Sequence, residues 1–144
     1  MIPHSRPTLD HEESAAVARV LMSGQVAQGA EVLKFEGAVA SLIGVGGAAA
    51  VSSGTAALHL ALLALEIGAG DDVIIPSFVC PALLNAIRYV HATPVLADID
   101  GATFNIDVRD LKRRLTGKTK AVIVPHMFGL PADIADIVAL GIPV

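Results

Sequence analysis

Three short runs limit most narrowly how this chain can fold: Val73-Ile74-Ile75, Pro94 to Asp98, and Ala121 to Val124. They are continuously apolar rather than alternating, so each needs cover on both of its faces. Between them lie stretches with helix start and stop signals. Continuous apolar strands alternating with helices are the pattern of a parallel sheet buried between two helical layers. The expected fold class is therefore α/β, a mostly parallel sheet with helices on both faces.

The helical segments follow from their ends. Thr8 or Asp10 can cap a first helix running to about Met22, with Glu12 and Glu13 in its first turn and Ser23-Gly24 at its end. A loop over 25–30 precedes a helix over 31–43, whose Val32, Phe35, Val39 and Leu42 share one face. Gly44 stops it, and Ala48 to Val51 reads as a short buried strand. The helix over 54–67 is apolar almost all round and is expected to be buried on most sides. Pro81 opens the next helix, which runs to about Val90. Asp107 with Asp110 opens another that runs to Leu115, and Asp133 to Leu140 is a last short one. Ile142-Pro143-Val144 reads as the opening of a further strand, which points to a truncated or divided protein. The expected division is an N-terminal helical segment, 1–45, and a partial α/β domain, 46–144.

Composition excludes several function classes. Apolar residues make up 53% of the chain and the formal net charge is −4, so general nucleic-acid binding is not expected. One cysteine rules out an internal disulfide and fits a cytoplasmic setting. Met1 to Arg6 has no apolar stretch behind it, so no signal peptide is expected. Gly37 to Leu65 carries no Asp, Glu, Lys or Arg and is long enough to span a bilayer. Its Gly44, Gly46, Gly47, Ser52, Ser53 and Gly54 break it where a helix–strand–turn–helix would, which argues against a membrane span.

The strand–turn–helix junction at Ser53-Gly54-Thr55-Ala56 is the first candidate site. The N–H groups of Gly54, Thr55 and Ala56, with the Thr55 hydroxyl, can cup a phosphate at a helix N-terminus. An ordinary capped helix with Ser53 as N-cap explains the same residues. Neither a Walker A nor a G-x-G-x-x-G pattern is present. Cys80 follows a strand at the carboxyl edge of the sheet, where ligands bind in open α/β folds. It can be a nucleophile with His126 as base, or a small residue filling a turn. Asp98 and Asp100 end a strand on that edge; they can hold a metal or bond turn N–H groups, and no metal site is assigned. His59, on an apolar helix, reads as a packing residue. The basic run Lys112, Arg113, Arg114, Lys118 and Lys120 reads as a solvated helix end rather than a polyanion site.

Taken in order, several segments resemble the DegT/DnrJ/StrS-type sugar aminotransferases, which are fold-type I pyridoxal-phosphate enzymes. The resemblance is carried by 24–29 (GQVAQG), 51–58 (VSSGTAAL), 70–77 (GDDVIIPS), 85–87 (NAI), 94–100 (PVLADID), 104–107 (FNID) and 124–129 (VPHMFG). It implies that Gly54, Thr55 and Ala56 hold the cofactor phosphate. Cys80 falls where many members place an aromatic ring on the pyridine face; a Cys there packs with less π overlap. Members also carry an Asp in a D-x-A-x-like segment that pairs with the pyridine nitrogen, and a Lys that forms the Schiff base. Both are expected beyond Val144, and none of Lys34, Lys112, Lys118 or Lys120 sits in the matching context. The resemblance thus implies the N-terminal part of such an enzyme, an incomplete large domain with no catalytic residue of its own. It further implies a homodimer, an amino acid donor and a nucleotide-linked keto-sugar. The alternatives are a non-catalytic binding or oligomerisation module, and another fold-type I activity such as a lyase or aldolase.

Overall fold

The computed structural model describes residues 5–144. Most of the Met1–Arg6 segment, with His4, lies outside the described residues. The chain forms two compact units, divided between Ala50 and Val51.

The first unit carries two helices. In α1, His11–Ser23, Asp10 is the N-cap rather than Thr8. Its carboxylate accepts the Glu12 N–H at 2.8 Å, while the Glu13 carboxylate accepts the Asp10 N–H at 2.8 Å, closing a capping box. Gly24 ends α1 in the left-handed conformation at φ 72°. The second helix, α2, spans Ala30–Ile43 and ends at Gly44, where φ is 76°. Neither helix holds a fully buried residue, and the expected inner face of α2 is only partly covered: Val32 and Val39 are half-buried, whereas Phe35 and Leu42 are exposed. Ala48 to Val51 forms no strand. A strand needs a neighbour to pair its backbone, and here the Ala50 N–H donates instead to the Glu36 carboxylate at 2.8 Å.

The second unit alternates helix and strand: α3 (Gly54–Ala64), β1 (Asp72–Pro76), α4 (Ala82–Tyr89), β2 (Thr93–Ala97), α5 (Val108–Arg114), β3 (Thr119–Val122) and α6 (Ile134–Val138). The strands form a parallel sheet in the order β2-β1-β3. Successive side chains of a strand point to opposite faces. Val73 and Ile75 of β1 therefore pack with Leu62 of α3 and with Leu83, Ala86 and Ile87 of α4. Ile74 faces the other way and joins Val122, Ala97, Leu111 of α5 and Ile137 of α6. Both faces of β1 are thus buried, which is why its sequence shows no polar alternation.

Three details differ from the sequence expectation. The third strand is drawn two residues earlier, at Thr119–Val122, because the Asp72 N–H captures the Lys118 carbonyl at 2.9 Å and a register shift follows between Asp72 and Val73. The helix over 54–67 ends at Ala64, and only Leu62 of it is buried; Leu60, Leu63 and Leu65 are exposed because one face of α3 meets the sheet layer. Residues 142–144 form no strand, yet the Pro143 carbonyl accepts the Val122 N–H at 2.9 Å, alongside β3. Among the described residues no helix is long and apolar enough to cross a membrane. The uncharged stretch is split between α2 and α3.

Candidate functional site at the carboxyl edge of the sheet

Chain direction fixes where the candidate residues meet. The C-terminus of α3 feeds, through the turn over 65–71, into the start of β1, so the first turn of α3 lies toward the opposite, carboxyl edge. The loop that leaves β1 at Pro76 reaches Cys80 and then α4, which packs beside α3. The phosphate-cup residues and Cys80 therefore start neighbouring helices at one end of one layer.

Ser53 caps α3: its Oγ accepts the Ala56 N–H at 3.1 Å, and its carbonyl accepts the Ala57 N–H at 3.0 Å. The Ala56 N–H is thus already engaged. Among the described residues nothing accepts a hydrogen bond from the N–H of Gly54 or Thr55, and a Cβ built on Gly54 meets no atom within 4 Å. Two free donors at the positive end of an 11-residue helix, with open space beside them, suit an anion. An incoming phosphate can also displace Ser53 Oγ from Ala56.

Cys80 is an exposed free thiol beside a cleft of about 420 Å³ shared with Ile75, Ser77, Leu84, Arg88 and Leu96. His126 stands at another strand exit, but its Nδ1 accepts the Ala132 N–H at 3.1 Å. That bond places the proton of the neutral ring on Nε2. No hydrogen bond joins His126 to Cys80, so the nucleophile–base pair is not assembled.

Asp98 and Asp100 bond local backbone. Asp98 Oδ1 accepts the Ile99 N–H at 2.8 Å and lies 3.5 Å from Ser77 Oγ. Asp100 Oδ1 accepts from the Thr103 N–H, the Ala102 N–H and the Thr103 hydroxyl at 2.9–3.0 Å. The Thr103 backbone bond, foremost, holds the Asp100 carboxyl below its ordinary range. Among the described residues no group of three His, Cys, Asp or Glu could hold a metal. His59 packs edge-on against Tyr89 with centroids 5.5 Å apart. Arg113 and Arg114 of the basic run both turn back onto Asp110.

Two features had no signal in the sequence. Asp110 is buried and, besides its arginines, accepts the Asp98 N–H at 2.7 Å, so it pins the end of β2. Asn105, 5% exposed, clamps the loop after β3: its Oδ1 accepts the Met127 N–H at 3.0 Å, and its Nδ2 donates to the carbonyls of Leu130 and Pro131. An Asp at a helix start and an Asn before Ile-Asp look like local caps, and only the fold brings their distant partners.

The arrangement defines a class: an open parallel α/β layer with unengaged N–H donors at a helix start on its carboxyl edge. The chain belongs to the DegT/DnrJ/EryC1/StrS aminotransferase family, whose model matches residues 7–142. It is similar to an aminotransferase from Psychrobacter cryohalolentis, with 39% identity and a TM-score of 0.90 over 96% of this chain and 36% of that one. A Streptococcus pneumoniae protein provisionally described as a sugar aminotransferase, in its PLP form, matches at 33% identity and TM-score 0.93, over 96% and 36%. A GDP-4-keto-6-deoxymannose-3-dehydratase with a trapped PLP-glutamate geminal diamine matches at 29% and 0.88, over 96% and 37%. The chain therefore spans little more than a third of these relatives, and its fold is the corresponding part of a fold-type I aminotransferase.

Proposed function

We propose that this chain is the N-terminal part of a pyridoxal-phosphate-dependent aminotransferase that passes an amino group from an amino acid to a keto group on a nucleotide-linked sugar. The observation that carries the reading is the start of α3, where Gly54 and Thr55 offer free N–H donors within a chain matched by the aminotransferase family over 7–142. In this reading Gly54, Thr55 and Ala56 hold the cofactor phosphate and Cys80 lies against its ring. Pyridoxal phosphate supplies the electron sink that makes amino-group transfer feasible. This chain's own part is to bind the phosphate, fix the ring's direction from the sheet edge, and shelter one face of it. Residues 1–45 form a helical segment and 46–144 a partial cofactor-binding domain, in a cytoplasmic homodimer whose reactive Lys comes from elsewhere than these residues.

A second reading, another fold-type I activity, has one observation in its favour: a dehydratase is among the proteins this chain resembles. Analysis of the products formed from an amino acid and a keto-sugar by the full-length enzyme separates the two, since only transfer yields the amino-sugar.

Thr55→Val tests the seat directly. It removes the hydroxyl at nearly constant shape, and a hydrogen bond to a charged group is worth about 1.5–3 kcal/mol. Pyridoxal-phosphate affinity, followed by absorbance, should fall about tenfold or more. Unchanged affinity would remove Thr55 from the site.

A further inference from the structure

The two edges of the sheet treat their outward backbone groups differently. Along a strand, successive residues turn their N–H and C=O groups to opposite sides. At β2 the Thr93 N–H donates to the Asp71 carbonyl at 2.9 Å, and the Ala97 carbonyl accepts the Ser77 N–H at 2.7 Å. Residues 93, 95 and 97 therefore face β1, and Pro94, Leu96 and Asp98 face outward. Pro94 has no N–H to offer. Asp98 offers neither group: its N–H donates to the buried Asp110 carboxylate at 2.7 Å, and its carbonyl accepts the Asp107 N–H at 2.9 Å. Among the described residues the Leu96 N–H is the one outward donor of β2 left without an acceptor. The opposite edge carries no such block. β3 contains no proline, and its Val122 N–H takes a backbone carbonyl, that of Pro143, at 2.9 Å.

Satisfying the Asp98 N–H does not require Asp110. Water satisfies an N–H at an open edge, and a buried carboxylate carries a desolvation cost. Asp110 is 4% exposed, and Arg113 and Arg114 pair with it at 2.8 and 3.3 Å. What a charged acceptor adds is strength, since a charge-assisted bond is about twice as strong as a neutral one. The neutral carbonyl of an incoming strand competes poorly for an N–H held in this way. The residues of β2 show what is being held off. Apart from Pro94 the strand is an apolar, β-prone run, and Leu96 is half exposed beside the free edge. Unblocked runs of this kind pair with other chains.

We propose that Asp110 and Pro94 close the β2 edge, so that neither a second copy of this chain nor another polypeptide extends the sheet there. Pro94 removes one donor from the middle of the edge, as edge prolines do. Asp110 withdraws another at its carboxyl end, and the start of α5 takes the carbonyl beside it. No residue of the α3 start takes part, so this closure stands or falls apart from the cofactor seat.

Amide hydrogen exchange of the chain, followed by NMR, reads the edge residue by residue. In the wild-type protein the N–H groups of Val95, Ala97 and Asp98 should exchange slowly, and that of Leu96 at least about tenfold faster. Pro94→Val combined with Asp110→Ala returns two outward donors to the edge. The double variant should self-associate at least about tenfold more tightly than the wild type by sedimentation, and its Leu96 N–H should become protected as concentration rises. Asp110→Ala also removes a buried charge, so Leu111→Ala, at the neighbouring and fully buried position, is the control for lost stability. Its Leu96 N–H should exchange as in the wild type. Pro94→Val alone leaves Asp110 in place and gives the same response at smaller amplitude, and it is the variant read if the double one does not fold. A Leu96 N–H as protected as its neighbours in the dilute wild-type protein overturns the proposal. A Leu96 N–H that stays open at every concentration in the variant read also overturns it. Equal protection of Leu96 in Leu111→Ala does the same, because pairing would then follow lost stability rather than the lost guard.

Discussion

Ile74→Ala is expected to lower the stability of the unit from Val51 to Val144 by about 3–5 kcal/mol. Ile74 is fully buried at the middle of the central strand, paired with Val95 on one side and Val122 on the other. Its side chain is the contribution of β1 to the cluster that also holds Leu111 and Ile137. Removing it leaves a cavity between the sheet and the α5–α6 layer that rigid strands cannot close. Net stabilities of domains are only about 5–15 kcal/mol, so the loss takes a large share of the total. Urea unfolding followed by circular dichroism measures it. Leu60→Ala, at an exposed position of α3, is the control and should change the midpoint little. Equal effects from the two would mean that the sheet faces are misassigned.

Asp110 gives the largest electrostatic effect. Its carboxyl is lowered from its ordinary 3.8 to about 2, first by the Asp98 N–H and then by Arg113, with Arg114 adding to both. Because the folded value lies below the unfolded one, this contribution is fully present above about pH 4 and is lost as pH falls toward 2. Asp110→Asn keeps the shape and one acceptor oxygen but loses the charge that both arginines face. The melting temperature at pH 7 should fall by roughly 5–15 °C, and the steep loss of stability between about pH 4 and 2 should flatten. Thermal melts of both proteins across pH 2–7 measure it. A parallel pair of curves would show that another carboxylate controls the acid limb.

Much of the fold was legible in the sequence because its elements state their own limits. Gly24 and Gly44 end their helices in the left-handed conformation that glycine favours, and Asp10 and Asp107 cap as short acidic residues do. The runs at Val73-Ile74-Ile75 and Ala121-Val122 are apolar throughout because both sheet faces are covered. Ala48 to Val51 failed as a strand because strand formation depends on a partner, which no local pattern records. The partly covered faces of α2 and α3 have the same origin: apolarity marks a surface to be buried, not what buries it. At the site, the cap on α3 was legible in Ser53-Gly54-Thr55. The bond from the Ala56 N–H to Ser53 Oγ is that cap. Asp110 and Asn105 were hidden because their partners lie 12 and more than 20 residues away. The left-handed backbone of Phe104 and Phe128 was hidden because their side chains disfavour that conformation.

In the proposed function the cofactor is held by its phosphate at the start of α3, and the lysine that bonds it is none of Lys34, Lys112, Lys118 and Lys120. The direct measurement is reduction with borohydride after incubation with pyridoxal phosphate, followed by peptide mass spectrometry. Reversible binding that depends on Thr55 is expected, with no stoichiometric adduct at any one of Lys34, Lys112, Lys118 or Lys120. A stoichiometric adduct at a single one of these lysines would contradict it.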